Sequence, residues 1–135
     1  MACPFFYPGE KLNDHGFIVT PRLPLGEARA GECRSASLPY WPDPTMLMKA
    51  CNLGHGRHYC ERFPTSAKAD AVRFHVREST ESLIRVQCIL ENECRPAGHC
   101  AIEYSKSDGK FLREHEDSVV QRQVEAFLDS YLARR

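Results

Sequence analysis

The stretch that decides the fold is residues 71–90, which read AVRFHVREST ESLIRVQCIL. Apolar side chains alternate with arginine and histidine over residues 72–76, and the same alternation returns over residues 84–90. A period of two residues places every second side chain on one face of a β-strand. The intervening residues 78–82 are polar and predict a turn. The stretch therefore predicts two strands, each with one buried face and one wet face.

The chain beyond this stretch continues the same pattern. Residues 101–104 predict a third strand, and the turn Ser107-Asp108-Gly109-Lys110 leads into a short fourth strand at 111–113. An amphipathic helix follows near 117–134, with Ser118 and Gln121 as a capping box. Its apolar face is the set Val120, Val124, Phe127, Leu128 and Tyr131. We predict an α+β fold in which an antiparallel sheet of three or four strands, over residues 70–115, packs against a C-terminal helix.

The N-terminal half has a different composition. Eight of the nine prolines lie at or before Pro64, and residues 8–16 and 21–42 predict loops and turns. Asp43, Pro44 and Gly54 predict the cap, first turn and end of one short helix. We predict a loop-rich cysteine region at 1–64 that packs with the unit 65–135 as one compact body. Aromatic residues are too frequent here for a disordered segment, so we expect a coil that a metal holds in order.

Four cysteines of this half share one context. Cys3, Cys33, Cys51 and Cys60 lie in irregular chain or at element ends, and 29, 17 and 8 residues separate them. Four thiolates are the ligand set of a [4Fe-4S] cluster and of a tetrahedral zinc ion. Structural zinc favours closely spaced cysteine pairs, which this chain lacks, and Cys3-Pro4 is typical of cluster ligands. We predict an iron–sulfur cluster on this quartet, with zinc as the alternative and buried free thiols as a third interpretation.

The other three cysteines predict less. Cys88 is in phase with the apolar face of its strand and is expected to be an inert core thiol. The segment from Glu93 to Cys100 reads as a turn-like loop between two strands, in which Cys100 is either a core thiol or a ligand together with Cys94 and His99. In that case the ligand set could be Cys51, Cys60, Cys94 and Cys100.

Two histidines flank the segment from Cys51 to Cys60. His55 and His58 could tune a cluster or couple its electrons to protons, but we favour the simpler interpretation that they are solvated loop residues. Cys60 with His58 could form a nucleophile–base pair, but no phosphate loop, nucleophile elbow or zinc-protease motif supports an enzyme. We therefore do not predict an enzyme activity.

Charge and hydropathy limit the partners. The 18 basic and 18 acidic residues cancel, which gives no electrostatic footprint for nucleic acid. Residues 1–8 do not have the basic start and long apolar run that are typical of a signal peptide, and no apolar run is long enough for a membrane helix. We therefore predict a cytoplasmic protein that does not engage a membrane. Open sheet edges make a homodimer a reasonable expectation.

The cysteine segments also resemble a known group of proteins. Cys3-Pro4-Phe5-Phe6, Cys33, Cys51-Asn52-Leu53-Gly54 and Cys60-Glu61-Arg62-Phe63-Pro64 are similar to a bacterial family of small four-cysteine proteins of the iron–sulfur kind. The resemblance covers most of the chain and implies a four-cysteine site without an assigned activity. Ordinary ferredoxins concentrate three ligands in one short run, and this chain does not.

The function predicted from these observations is that of an iron–sulfur redox protein. It would act as an electron carrier or redox sensor with a protein partner, and the aromatic residues Phe5, Phe6, Tyr40, Trp41 and Phe63 would shield the cluster. The alternative is a zinc-stabilised protein-interaction module without a redox role, since zinc has no redox chemistry. A thiol enzyme is a third, weaker hypothesis.

Overall fold

The computed structural model describes residues 2–11, 25 and 28–134. The strands are β1 (Phe6–Lys11), β2 (Arg29–Cys33), β3 (Ala71–Ser79), β4 (Leu83–Asn92), β5 (Arg95–Ser105) and β6 (Lys110–Arg113). The helices are α1 (Pro44–Met46), which continues as a π-helical turn (Leu47–Cys51), then α2 (Gly56–Tyr59) and α3 (Ser118–Ala133). This is the predicted α+β fold.

The second half is a four-stranded antiparallel sheet in the order β3-β4-β5-β6, with α3 packed on one face. The alternating apolar residues of β3, β4 and β5 all point towards α3, as their period of two requires. The fully buried core consists of Val72, Ile84, Val86, Cys88, Ile102, Val120, Val124 and Leu128. Alternation and helical spacing in the sequence therefore identified this core correctly.

The connection between β4 and β5 is shorter than predicted. A loop was expected from Glu93 to Cys100, but Asn92 pairs directly with Arg95 and only Glu93 and Cys94 form the turn. Both turn residues have positive φ, 51° and 66°, as a tight two-residue hairpin turn demands. The prediction was wrong because this turn has neither the glycine nor the asparagine that usually marks it, while Pro96 suggested a break.

The cap of α3 also differs from the prediction by one residue. The N-cap is Asp117, whose carboxylate accepts hydrogen bonds from the Val119 and Val120 amides, rather than Ser118. The expected capping-box residue Gln121 instead accepts a hydrogen bond from the amide of His115 at 2.8 Å. A carboxylate is as good a cap as a hydroxyl, and it also complements the positive end of the helix.

Two strands occur where loops were predicted in the N-terminal half. β1 pairs antiparallel with β2, with Pro8 opposite Gly31 and Phe6 opposite Cys33. A two-stranded ribbon consists only of edge strands, and proline is tolerated in an edge strand because its missing N–H can face outwards. A Cβ at Gly31 would overlap the Tyr7 carbonyl oxygen, so this close pairing requires glycine. The proline and glycine that suggested loops are compatible with this particular pairing.

The short helix begins and ends as predicted. The Met46 amide donates to the Asp43 carboxylate at 2.8 Å, Pro44 occupies the first turn, and Gly54 with φ 82° follows the end. Its second part widens into a π-helical turn, with the Asn52 amide donating to the Leu47 carbonyl at 3.1 Å. Such turns are often found at functional sites, and this one ends at Cys51.

The N-terminal region packs directly on the sheet and helix. Ala2 forms an antiparallel bridge with Val72 at the edge of β3, with both hydrogen bonds at 2.7 Å. The Arg122 guanidinium of α3 donates to the Pro8 carbonyl at 3.0 Å. Within the described residues, no helix is both long and apolar enough to span a membrane.

Candidate metal centre

The structure brings the four cysteines of the quartet together from four different segments. Cys3 precedes β1, Cys33 is the last residue of β2, Cys51 is the last residue of the π-helical turn, and Cys60 follows α2. All four line one small cavity of about 20 Å³. Its other walls are Phe6, Tyr40, Pro42, Met46, Ala50 and Arg62. Four cysteines that are far apart in the sequence therefore meet at one cavity.

The cavity has a buried side and a partly exposed side. Cys3 and Cys51 are only 8% and 6% exposed, whereas Cys33 and Cys60 are half-buried. The Cys33 thiol donates to the Ser35 hydroxyl at 3.1 Å, and Arg62 stacks over the Tyr40 ring, with its guanidinium carbon 3.9 Å from the ring centre. A bound group would reach solvent on the side of Cys33 and Cys60.

The thiols influence each other electrostatically. Burial raises the pKa of Cys3 to about 12, and the neighbouring Cys33 and Cys60 thiols add to this rise. Burial also raises the pKa of Cys51, with further contributions from Cys3, Cys33 and Cys60. Removal of the protons from these thiols is therefore unfavourable without a compensating cation. A metal ion or cluster bound here would supply that compensation and displace the protons.

The spacing of the sulfur atoms is wider than a single metal ion requires. Three or more Cys, His, Asp or Glu side chains could share one metal ion if all their ligand atoms lie within 4.8 Å of one another. Among residues 2–11, 25 and 28–134, the group that meets this distance is Cys88, Cys100 and His115. No three sulfurs of the quartet are therefore this close to each other. Tetrahedral zinc, with bonds of about 2.3 Å, would hold its four sulfurs about 3.8 Å apart.

Backbone hydrogen bonds fix the loop that carries Cys3. The Cys3 amide donates to the Cys51 carbonyl at 3.1 Å, and the Phe6 amide donates to the Cys3 carbonyl at 3.0 Å. The side-chain amide of Gln123, fully buried on α3, donates to the Cys3 and Phe6 carbonyls at 2.7 and 2.8 Å. The C-terminal helix therefore positions an N-terminal cysteine, which local sequence patterns could not indicate.

A second buried network fixes Cys51. Its neighbour Asn52, 2% exposed, accepts from the Arg29 amide and donates to the Arg29 and Leu47 carbonyls, all at 3.0 Å. The Arg29 guanidinium in turn donates to the Gly9 carbonyl at 3.0 Å and pairs with Asp129 of α3 at 3.2 Å. Asn52 and Arg29 thereby couple the π-helical turn, the β1–β2 ribbon and α3.

Most of the predicted aromatic shield is present. Phe6 and Tyr40 line the cavity, and Phe5 and Phe63 pack edge to face beside it, with ring centres 5.6 Å apart. Trp41 was also expected to shield the site, but it is 68% exposed, so this prediction was wrong. The reason is that Pro42, the next residue, is buried in the wall and leaves the Trp41 side chain outside.

The histidines near the quartet lie outside the cavity wall. His55 precedes α2 in the left-handed conformation with φ 61°, and its amide donates to the Asp70 carbonyl at 2.9 Å. His58 is exposed and contacts Tyr59 ring to ring. Of the described residues, those that line the cavity include neither histidine.

The alternative ligand set with Cys94 and His99 is not assembled. Cys94 is exposed at the tip of the hairpin turn, and His99 is exposed on the face of the sheet opposite to Cys100. Cys100 instead pairs in register with Cys88, and both face the helix. Cys88 is buried as predicted, at 1% exposure, but its proximity to Cys100 and His115 was not predicted. The alternation of apolar residues in the sequence indicated that each of the two cysteines could face the core. It did not indicate that they would be direct partners in the strand pairing.

Comparisons of this chain with protein-family models, with curated proteins and with solved structures gave no match. The interpretation of the site therefore depends on the chemistry and geometry of its own residues.

Proposed function

We propose that this protein is an iron–sulfur redox protein, an electron carrier or redox sensor, whose Cys3, Cys33, Cys51 and Cys60 hold one [4Fe-4S] cluster. The observation that carries the proposal is the convergence of these four cysteines, from four separate segments, on one cavity. Four thiolates are the complete ligand set of such a cluster.

The arrangement of the sulfurs favours a cluster over a single ion. A cubane cluster is larger than an ion, so its ligands stand further apart, in keeping with sulfurs that are not grouped within 4.8 Å. The cavity itself is small, about 20 Å³, so its lining must move outward to admit the cluster. This movement costs least on the side of Cys33 and Cys60, because these two half-buried residues have fewer packed neighbours than Cys3 and Cys51.

The bound cluster would supply one-electron transfer. The chain would contribute the environment that sets the potential. Phe6 and Met46 exclude water from the cavity, and a backbone hydrogen bond from Phe5 reaches the Cys3 thiol. Burial and hydrogen bonds to sulfur are two of the levers by which proteins tune clusters.

A redox partner would approach on the half-buried side. Next to Cys60 the surface carries a hollow of about 280 Å³ whose lining includes Lys49, Tyr59 and Arg62. Tyr59 is 59% exposed, and aromatic and arginine side chains are common at protein interfaces. A protein partner that docks here would come close to Cys60, one of the two more exposed ligands of the cluster.

A second candidate function is a zinc-stabilised interaction module, and the small volume of the cavity favours it. In this case the quartet sulfurs would close in around one ion and order the N-terminal half, with no redox role. The C-terminal helix or a sheet edge would then bind the partner.

The test is anaerobic purification followed by an absorption spectrum and iron, sulfide and zinc analysis of the same sample. We expect a brown protein with about four irons and four sulfides per chain. Cys33→Ser and Cys60→Ser should each lose most of the iron, whereas Cys94→Ser, which changes an exposed cysteine outside the quartet, should keep it.

Two results would decide against the cluster. Full iron loading in the double variant Cys33→Ser, Cys60→Ser would exclude the quartet as its ligands. A colourless parent protein that loses one zinc per chain on Cys33→Ser would establish the zinc alternative at this cavity.

A further inference from the structure

A separate group of ligand atoms lies between the sheet and α3. Cys88 of β4 and Cys100 of β5 are direct partners in the antiparallel register, so their side chains share the face that packs on the helix. His115 reaches the same place from the segment that joins β6 to α3. The ligand atoms of all three residues lie within 4.8 Å of one another.

We propose that Cys88, Cys100 and His115 form a second metal site, which binds one zinc ion independently of the quartet. Two thiolates and one imidazole are a common ligand set of zinc sites in which three protein ligands leave the fourth position open. Cys88 is 1% exposed, while Cys100 and His115 are partly exposed, so the group is buried on one side and accessible on the other. Water would complete the coordination on the accessible side.

The charge of the ligand set favours a divalent ion. Two thiolates and one Zn²⁺ sum to zero, which suits a site that is largely removed from water. Monovalent copper would leave one negative charge uncompensated, and magnesium or calcium would require oxygen ligands. Zinc therefore satisfies both the chemistry and the charge of this site.

Burial disfavours the thiolate form of both cysteines in the absence of a metal. Burial raises the pKa of Cys88 to about 12, and burial also raises the pKa of Cys100. Such thiols are poor nucleophiles at neutral pH, which argues against a catalytic or readily oxidised dithiol. Zinc binding would displace both protons, one from each sulfur, and release them to solvent.

The imidazole of His115 links the site to the start of α3. Its Nδ1 accepts a hydrogen bond from the Asp117 amide at 2.9 Å, so the neutral ring carries its proton on Nε2. If zinc binds Nδ1, it replaces the Asp117 amide at that atom. If zinc binds Nε2, the ring proton must move to Nδ1, which then can no longer accept the hydrogen bond from the Asp117 amide. In either case the Asp117 amide must change partner when zinc binds.

This consequence gives the site a signature of its own. The Asp117 amide resonance should shift on zinc addition, while the amide of His115, which donates to Gln121 at 2.8 Å, keeps its partner. Zinc bound at the quartet would leave the hydrogen bond from the Asp117 amide to His115 unchanged. In the part of the chain that the structure describes, no quartet cysteine forms a hydrogen bond with Asp117 or His115.

The experiment is zinc titration of the full-length chain, purified anaerobically with its native cofactor and then treated with a mild chelator. We expect one zinc per chain at micromolar concentration, together with the Asp117 amide shift. Cys100→Ala and His115→Gln should each lose this zinc and the shift, and their iron content should equal that of the parent. Cys94→Ser, the matched control on the same hairpin, should bind zinc normally.

Undiminished zinc uptake in both Cys100→Ala and His115→Gln would overturn the second site. His115→Gln keeps the test valid if Cys100→Ala does not fold, because it changes a partly exposed side chain outside the sheet. The two sites share no residue, so their failures can be distinguished. Zinc that is sensitive to Cys100→Ala in a protein without iron would support this site and contradict the proposed cluster.

Discussion

At the residue scale, Gln123 helps to hold Cys3 in place, although it lies far from Cys3 in the sequence. It lies on the C-terminal helix, is fully buried, and donates to the carbonyls of both Cys3 and Phe6. A buried carbonyl that loses its donor costs free energy, and here it would also release the loop that presents Cys3. Gln123 therefore acts as a positioning residue for a cysteine 120 positions away.

We expect Gln123→Leu to lower the free energy of unfolding by about 1–3 kcal/mol. The chain should also lose iron faster to a chelator, because the Cys3 loop is no longer held. Chemical denaturation and timed iron release would measure the two effects. The matched control is Gln87→Leu, which removes only a 3.3 Å contact with exposed Arg77. Equal effects of both substitutions would contradict the positioning role.

At the scale of elements, the β1–β2 ribbon explains how a chain rich in proline and glycine can hold two thiols in place. Phe6 pairs with Cys33, so the ribbon sets the position of Cys33 against the segment that follows Cys3. The ribbon is possible because Gly31 allows the two backbones to approach closely at Tyr7. The position of Cys33 relative to Cys3 therefore depends on this strand pairing.

Gly31→Ala should disrupt this pairing, since the added Cβ would overlap the Tyr7 carbonyl oxygen and lie 2.8 Å from the Phe6 ring. Overpacking of this kind costs about 1–3 kcal/mol, and we expect a lower melting temperature and lower iron content. Gly9→Ala is the matched control in the same ribbon, because its nearest contact would be an ordinary 3.4 Å. A stable, fully loaded Gly31→Ala protein would show that the ribbon does not position the site.

At the scale of the whole molecule, the two regions depend on different forces. The sheet and α3 share one apolar core, whose eight fully packed members belong to regular elements. The N-terminal region has a two-stranded ribbon, short helical turns and a small group of buried apolar side chains that includes Cys3, Cys51 and Phe6. Few regular hydrogen bonds support the N-terminal region, so a bound cofactor should contribute much of its order.

We therefore expect hydrogen exchange to respond locally to the loss of the cofactor. In Cys33→Ser, amides of residues 2–11 and 28–63 should exchange at least several-fold faster than in Cys94→Ser, while β4, β5 and α3 remain protected. Exchange measured by mass spectrometry on both proteins would test this. Equal protection of the N-terminal region in the two variants would mean that packing alone orders it.

Parts of this protein follow from the sequence by itself. Alternation over residues 72–76 and 84–90 and the spacing of Val120, Val124 and Leu128 predicted the sheet, the helix and their common core. The cap at Asp43 and the stop at Gly54 were predicted as well. These features depend on neighbours within a few residues, whose steric and hydrogen-bonding preferences are local. The context of the four cysteines likewise suggested that they belong together.

The tertiary structure alone decided the rest. The turn at Glu93 and Cys94, together with the register shift between Leu90 and Glu91, places Cys88 opposite Cys100. The packing of the segment before α3 brings His115 to them. The pairing of Pro8 with Gly31 and the reach of Gln123 to Cys3 are decided in the same way. Register and packing depend on the summed contacts of residues that are distant in sequence, so no local pattern encodes them.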